Sequence, residues 1–107
     1  MSKTFDPLRG QVFFADLGEI GVKPVVVVSN NARNRRLADI VAARITTGPK
    51  PELPSIVPLP DHEPLVGRVV CDHIVTVLKR DLRRAVGGLS RRTMAAVDEG
   101  LRAALAL

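Results

Sequence analysis

The chain has 107 residues, of which 46% are hydrophobic and 25% are charged, and its formal net charge is +5. This length suffices for one hydrophobic core, so we expect residues 1–107 to form a single domain; a two-domain enzyme with an interdomain cleft is excluded, and so is disorder as the default state. The positive charge indicates a polyanionic partner, nucleic acid first, although the 3% aromatic content leaves few rings on which bases could stack.

The first half of the chain predicts three strands. Residues 1–8 form a polar lead-in, and β-forming residues then cluster at 11–17, 25–29 and 40–46. A glycine turn at 18–21 separates the first two strands, and a polar, basic segment at 30–36 is expected to be a loop or a short helical turn opened by asparagine. The unbroken valine run at 25–28 indicates burial on both faces of its strand.

The second half predicts shorter strands and a closing helix. A proline-rich loop at 48–54 precedes a short edge strand at 55–59, a turn at 61–65, a long β-rich stretch at 67–77, a helical turn at 79–84 and a strand at 85–87. Ser90 can cap a helix whose apolar residues recur at spacings of three and four: Met94, Val97, Leu101 and Leu105. The connections are too short for parallel crossovers, so we predict an α+β, mostly β fold, a small antiparallel barrel or curled sheet with a C-terminal helix.

The sequence gives no indication of a metal or cofactor site. His62 and His73 are isolated, and no metal-binding motif or glycine-rich phosphate loop occurs. Strand alternation predicts that Cys71 and His73 are buried on one face while Asp72 lies alone on the other, which argues against a site built from that triplet. Cys71 is the one cysteine, no signal peptide is apparent and no run approaches membrane-spanning length, so we expect a cytoplasmic protein without a membrane partner.

The basic segment after the second strand is a candidate nucleic-acid contact. Arginines at 33, 35 and 36 alternate there with asparagines at 30, 31 and 34. Guanidinium groups bind phosphates and amides read base edges, so Asn30 and Arg33 are candidate RNA ligands, although a solvated surface remains open. A second basic group, spread over 79–92, is better explained as solvated surface. Phe13 and Phe14 are adjacent on the first strand, so at most one can face a groove, and a stacking platform is not expected.

Metal-independent RNA cleavage requires three things. The 2′-hydroxyl must lose a proton, the pentavalent phosphate must be stabilised, and the leaving 5′-oxygen must gain a proton. Candidates at strand ends are Lys23 as the cation, Thr46 as a hydrogen-bonding hydroxyl and Asp72 as the carboxylate. Each also has an ordinary reading, as a surface lysine, a strand-end threonine or an edge charge that blocks strand pairing.

The order of several stretches resembles the MazF/PemK family, toxins of bacterial toxin–antitoxin pairs. These stretches are Arg-Gly-Gln-Val at 9–12, Lys-Pro-Val-Val-Val-Val-Ser-Asn at 23–30, residues 40–46, Cys-Asp-His-Ile at 71–74, and Gly-Gly-Leu-Ser at 87–90 followed by Met94, Val97, Asp98 and Leu101. The resemblance implies an SH3-like antiparallel barrel, a homodimer, and metal-independent cleavage of single-stranded RNA to a 2′,3′-cyclic phosphate and a 5′-hydroxyl. It also implies neutralisation by an acidic antitoxin and no cofactor.

The resemblance assigns roles to individual positions. Lys23 stands where most members have an arginine that stabilises the phosphorane or acts as general acid, Thr46 matches the catalytic threonine or serine, and Asp72 matches an acidic residue that some members use as a base. Asn30 and Arg44 correspond to RNA contacts, and Arg44 shares a strand face with Thr46.

The chain also departs from the family pattern. The loop at 18–22 is short, which together with Lys-Pro resembles a short-loop subgroup, and a lysine cannot grip a phosphate bidentately as an arginine does. Two alternatives stay open: a gyrase poison of the CcdB type, which shares this fold, and a non-catalytic SH3-like RNA-binding module. The C-terminal helix ends without the aromatic or charged residues with which gyrase poisons grip their target.

Overall fold

Six antiparallel strands and two α-helices follow one another in the computed structural model, which describes residues 6–107. Most of the predicted lead-in at 1–8 therefore lies outside the described residues. In chain order the elements are β1 (Gln11–Asp16), β2 (Val22–Val27), α1 (Asn31–Arg36), β3 (Asp39–Thr46), β4 (Ile56–Pro58), β5 (Arg68–Leu78), β6 (Leu82–Gly88) and α2 (Arg91–Leu105), with short 3-10 turns at Gly18–Ile20 and Lys79–Asp81.

The strands form one sheet in the order β4-β5-β3-β2-β1-β6, and each neighbouring pair is antiparallel. The predicted fold, mostly β with a C-terminal helix, is confirmed. The sheet is open, because no pairing joins β4 to β6 within the described residues. In residues 6–107 there is also no helix both long and apolar enough to span a lipid bilayer.

Two hydrophobic cores lie on opposite faces of this sheet. Val26 belongs to the core beneath α2, whereas Val25 and Val27 belong to the second core, and all three side chains are fully buried. Alternation along a strand sends successive side chains to opposite faces, so a valine run without polar interruptions is what a strand between two cores requires. The expectation of burial on both faces is confirmed.

α2 covers the first core with three of the four apolar residues that the sequence pattern selected, Met94, Val97 and the partly buried Leu101, whereas Leu105 is 52% exposed. The Ser90 hydroxyl accepts a hydrogen bond from the Thr93 N–H at 3.2 Å and caps the helix, and Met94 and Val97 are buried. Gly100 allows α2 to pack closely on the sheet, because a Cβ built there would lie 2.7 Å from the Cys71 sulfur.

The expected alternation at Cys71, Asp72 and His73 is wrong. The register between β3 and β5 jumps here, from Ala43 opposite Ile74 to Arg44 opposite Val70, so these three residues have no partner in β3. Cys71 is buried, but Asp72 and His73 are both exposed. An irregular ladder bends the strand and breaks the period of two on which the expectation depended.

β2 begins three residues before the predicted strand and includes Pro24. Pro24 pairs with Phe14 of β1, but the ladder between β2 and β3 starts only at Val25. A proline has no N–H with which to continue such a ladder. Pro24 thus stands where β2 and β3 cease to pair, and this is where the site described below opens.

Candidate active site

A cavity of about 320 Å³ lies where the start of β2 meets the end of β3. Its walls come from β1, β2, β3 and the loop between β4 and β5, and the lining residues are Phe14, Lys23, Pro24, Arg44, Ile45, Thr46, Thr47, Leu65 and Val66. Three of the six residues that the sequence nominated, Lys23, Arg44 and Thr46, are therefore together in one cavity.

The strand register explains why Lys23 and Thr46 lie close together. Val25 and Arg44 form the last pair of the β2–β3 ladder, and Lys23 and Thr46 each lie two residues beyond it, where the two strands separate. Both residues line the cavity that opens at this point. Because residues two apart along a strand share a face, Arg44 lies on the same face as Thr46. Two cations and one hydroxyl thus come from the ends of two neighbouring strands to the lining of one cavity.

Arg44 carries a polar atom that the fold leaves unsatisfied. Its Nε is buried and has no hydrogen-bond partner among residues 6–107. An unmade hydrogen bond of this kind costs about 1–3 kcal/mol, so such groups are rare in folded proteins outside functional sites. The guanidinium also forms no ion pair with a described carboxylate, and the same is true of Lys23. Both cations are available to an anionic ligand.

The Thr46 hydroxyl is oriented by its own turn. Its Oγ1 accepts a hydrogen bond from the Gly48 N–H at 3.1 Å. This bond uses one lone pair of the oxygen and leaves the O–H proton available for donation to an oxygen in the cavity. Such a donor adds a directional hydrogen bond to the charge that Lys23 and Arg44 provide.

One aromatic ring reaches the cavity after all. Phe13 is buried in the second core, whereas Phe14 lines the cavity, so the expectation that at most one of them faces a groove is confirmed. The Arg84 guanidinium lies over the Phe14 ring, 4.9 Å from its centroid. This cation–π contact helps to hold the ring in place, although Arg84 itself does not line the cavity.

Asn30 and Arg33 are placed elsewhere. The Asn30 Oδ1 accepts a hydrogen bond from the Arg33 N–H at 2.8 Å and caps α1, and the Arg33 guanidinium contacts both the carboxylate and the carbonyl of Asp39 at 2.6 Å. Asn34 is fully buried and donates to the Ser29 carbonyl at 3.0 Å. The segment at 30–36 is thus the short helical turn opened by asparagine that the sequence allowed, and the side chains of Asn30, Arg33 and Asn34 are occupied by contacts within the fold.

Asp72 is not brought to the cavity either. It is exposed on β5, and its Oδ2 accepts a hydrogen bond from the buried Ser55 hydroxyl at 2.6 Å. Ser55 lies just before β4, so this contact ties β4 to the irregular part of β5. In residues 6–107, acidic, histidine and cysteine side chains nowhere gather in threes that could hold a metal ion.

The loop that contributes Leu65 and Val66 is anchored to the start of α2. The buried Glu63 carboxylate accepts hydrogen bonds from the Ser90 N–H at 3.2 Å and the Ser90 hydroxyl at 2.7 Å. Burial opposes ionisation of this carboxyl, but the hydrogen bonds from Thr93 and Ser90 and the nearby His62 outweigh burial, so the pKa of Glu63 lies below its ordinary value. A negative charge is also favourable at a helix N-terminus.

Sequence reasoning missed the apolar walls of the site. Phe14, Leu65 and Val66 line the cavity, and Val66 is 73% exposed, an unusual position for a valine. The adjacency of two phenylalanines was a usable signal for Phe14, since one had to face away from the core. No signal marks Leu65 and Val66, because their place depends on the distant contact between Glu63 and Ser90.

Known proteins with similar sequences are endoribonucleases. The chain is 45% identical over 101 residues to endoribonuclease MazF4 of Mycobacterium tuberculosis, covering 94% of each chain. It is 33% identical over 109 residues to endoribonuclease EndoA of Bacillus subtilis, covering 92% of this chain and 94% of the relative.

Solved structures agree with the sequence relationship. An endoribonuclease from mycobacterial species superposes with a TM-score of 0.90 at 40% identity, covering 99% of this chain and 97% of the other. A mycobacterial endoribonuclease in complex with its cognate antitoxin gives a TM-score of 0.89 at 44% identity, covering 94% and 96%. The family model described as "PemK-like, MazF-like toxin of type II toxin-antitoxin system" matches residues 8–105. The chain therefore belongs to the PemK-like and MazF-like toxins of type II toxin–antitoxin systems.

Proposed function

We propose that this chain is a sequence-selective endoribonuclease toxin that cleaves single-stranded RNA without a metal ion. The observation that carries the proposal is the cavity in which Lys23, Arg44 and Thr46 meet, with neither cation paired to a described carboxylate and Arg44 Nε buried without a partner. Two uncompensated cations and a hydroxyl donor match the needs of a phosphodiester, and the endoribonuclease names of the relatives agree.

The proposed reaction is an internal transesterification. The 2′-oxygen attacks the neighbouring phosphorus, the bond from phosphorus to the 5′-oxygen breaks, and the products are a 2′,3′-cyclic phosphate and a 5′-hydroxyl. Lys23 and Arg44 balance the added negative charge of the phosphorane, and Thr46 donates a hydrogen bond to one of its oxygens. Lys23 is also the candidate donor of the proton that the leaving 5′-oxygen gains, since an ammonium releases a proton more readily than a guanidinium.

The base that removes the 2′-proton is a separate question. Asp72 was its sequence candidate, but in the single chain Asp72 accepts from Ser55 outside the cavity. We therefore expect Asp72→Asn to retain most of the cleavage rate while weakening the attachment of β4 to β5. A loss of kcat comparable to that of Lys23→Ala would instead support Asp72 as the base.

The same cavity suggests how the toxin is silenced. Unneutralised cations attract any polyanion, so an acidic antitoxin segment would compete with RNA for it. The related mycobacterial endoribonuclease seen with its cognate antitoxin supports this proposal. We also expect the toxin to act as a homodimer and in the cytoplasm.

The test is cleavage of mixed-sequence RNA by purified protein in EDTA. We expect fragments that end in a 2′,3′-cyclic phosphate, and a loss of kcat of about 100-fold in Lys23→Ala and in Thr46→Ala, as for removal of one transition-state donor. Lys50→Ala is the matched control, because Lys50 is an exposed lysine that does not line the cavity.

Each negative result has a definite meaning. RNA that is bound but never cut would replace the proposal with a non-catalytic RNA-binding module. DNA breaks on expression with RNA intact would favour a gyrase poison. Equal losses in Lys23→Ala and Lys50→Ala would show that the assignment of the site is wrong.

A further inference from the structure

Gly67, the residue before β5, lies against the backbone of Thr46. A Cβ built at Gly67 would lie 2.5 Å from the Thr46 carbonyl oxygen and 3.0 Å from its carbonyl carbon. Both of these atoms belong to the main chain, so they cannot give way to a side chain at 67 unless Thr46 itself moves. The φ of Gly67 is +127°, which L side chains rarely adopt. The absence of a side chain at 67 therefore sets how closely the start of β5 approaches the end of β3.

The other end of Thr46 is fixed by Gly48. The Gly48 N–H donates to Oγ1, and a Cβ built at Gly48 would lie 3.4 Å from that oxygen. The carbonyl and the hydroxyl of Thr46 are thus held on two sides by residues without side chains. Within this arrangement, a shift of the main chain at Thr46 changes where its hydroxyl points.

We propose that Gly67 is a positioning residue for RNA cleavage, which acts through Thr46. This inference rests on the proposed endoribonuclease function. Gly67 touches no substrate; its bare main chain lets Thr46 sit where its hydroxyl meets the phosphate. A misplacement of a reacting group by about 1 Å costs on the order of 100-fold in rate, so a small displacement of Thr46 is enough to matter.

Gly18 offers a matched control. Its φ is also positive, at +77°, but a Cβ built there meets nothing within 4 Å. Gly18→Ala therefore introduces backbone strain without a steric contact, whereas Gly67→Ala introduces strain together with a clash on Thr46. The difference between the two variants contains the contact with Thr46 and the larger strain at φ +127°, and the Thr46→Ala background described next separates these two effects.

The experiment measures kcat and KM on single-stranded RNA for wild type, Gly67→Ala, Gly18→Ala, Thr46→Ala and the double variant of Thr46 and Gly67. We expect Gly67→Ala to lower kcat about 100-fold with KM changed by less than about twofold, and Gly18→Ala to keep kcat within about twofold. When Thr46 is already alanine, we expect the added Gly67→Ala to lower kcat by a further factor of less than about three. The effects of two residues that act as a unit are not additive.

All variants are compared at a temperature at which circular dichroism shows each to be native. If no such temperature exists for Gly67→Ala although Gly18→Ala is native, the contact serves folding and the inference is overturned. An unchanged kcat in Gly67→Ala, or an equally large loss without the Thr46 hydroxyl, overturns it as well. If the wild-type protein leaves RNA intact, the proposed endoribonuclease function is refuted. If the wild type cleaves RNA, that function stands irrespective of the result for Gly67→Ala.

Discussion

Two arginines of similar burial serve opposite purposes in this chain. The Arg33 guanidinium contacts both the carboxylate and the carbonyl of Asp39, whereas Arg44 lines the cavity and no described residue satisfies its buried Nε. The sequence predicted that Arg44 shares a strand face with Thr46, and both line the cavity. It could not exclude Arg33 from the site, because nothing in a linear sequence shows that Asp39 will lie beside it. Side-chain partners, unlike strand faces, are decided by the fold.

This contrast predicts opposite effects of the same substitution. Arg44→Met keeps the aliphatic stem and removes an unsatisfied donor, so we expect RNA affinity to fall about tenfold while the free energy of unfolding stays the same or rises slightly. Arg33→Met should lower the free energy of unfolding by about 1 kcal/mol and leave RNA affinity within about twofold, because it removes a half-buried ion pair outside the cavity. Urea titration and RNA binding are measured for wild type, Arg44→Met, Arg33→Met and Arg35→Met. Arg35→Met is the control, because Arg35 is exposed and does not line the cavity. A larger loss of affinity in Arg33→Met than in Arg44→Met would contradict the assignment.

At the scale of elements, one buried carboxylate joins the loop between β4 and β5 to α2. Glu63 binds the Ser90 N–H and hydroxyl, and the same loop supplies Leu65 and Val66 to the cavity. The sequence predicted the helix and its Ser90 cap, since capping is local, and it predicted a turn near Glu63. It did not predict that the two meet, because 27 residues separate them and no period connects them.

The depressed pKa of Glu63 gives this junction a pH dependence. A carboxyl whose pKa is lowered by folding binds its proton less tightly in the native state, so its contribution to stability is present above the unfolded value of 4.5 and is lost as the pH falls through the lower folded value. At neutral pH we expect Glu63→Gln to be less stable by about 1–2 kcal/mol, the magnitude of hydrogen bonds to a buried charge.

Thermal unfolding as a function of pH provides the measurement. The difference between wild type and Glu63→Gln should shrink as the pH drops below about 4.5. Glu52→Gln, a change at an exposed loop carboxylate, is the control and should show no such convergence. A stability difference that stays constant into the acid range would mean that the charge of Glu63 contributes nothing.

For the molecule as a whole, composition and periodicity predicted the order of strands and helices better than they predicted which residues line the cavity. The valine run of β2 and the helical spacing of α2 placed both cores, because burial imposes a period that the sequence must carry. The irregular stretch at Cys71 escaped prediction, since a register jump arises from how β5 meets β3 and β4 rather than from β5 alone. For the same reason the position of Asp72 was not predictable.

Cys71 makes the cooperativity of this architecture measurable. The thiol is fully buried beneath α2, and burial, with a smaller contribution from Asp72, raises its pKa to about 11. At neutral pH we expect thiol reagents to label the native protein at least a thousandfold more slowly than an unfolded peptide, at a rate set by opening of the sheet.

Two variants of α2 test this expectation. Gly100→Ala, which crowds the same sulfur, should accelerate labelling. Ala103→Gly, on the exposed face of α2, should accelerate labelling only to the extent that it lowers the free energy of unfolding. Fast labelling of wild type would show that α2 opens independently of the sheet.

Within residues 6–107, β4 and β6 form the two edges of the sheet, and these edges bear on the behaviour of the chain in a crowded solution. An unpaired edge strand is a template on which other chains can add and aggregate. At one end β4 is only three residues long, is preceded by Pro54 and closes on Pro58, so it offers few donors to an incoming strand. At the other end β6 carries Arg83 and Arg84 side by side. Growth of the sheet from either edge into fibrils is therefore disfavoured, and any self-association of this chain is expected to proceed through side chains instead of an extended β-ladder.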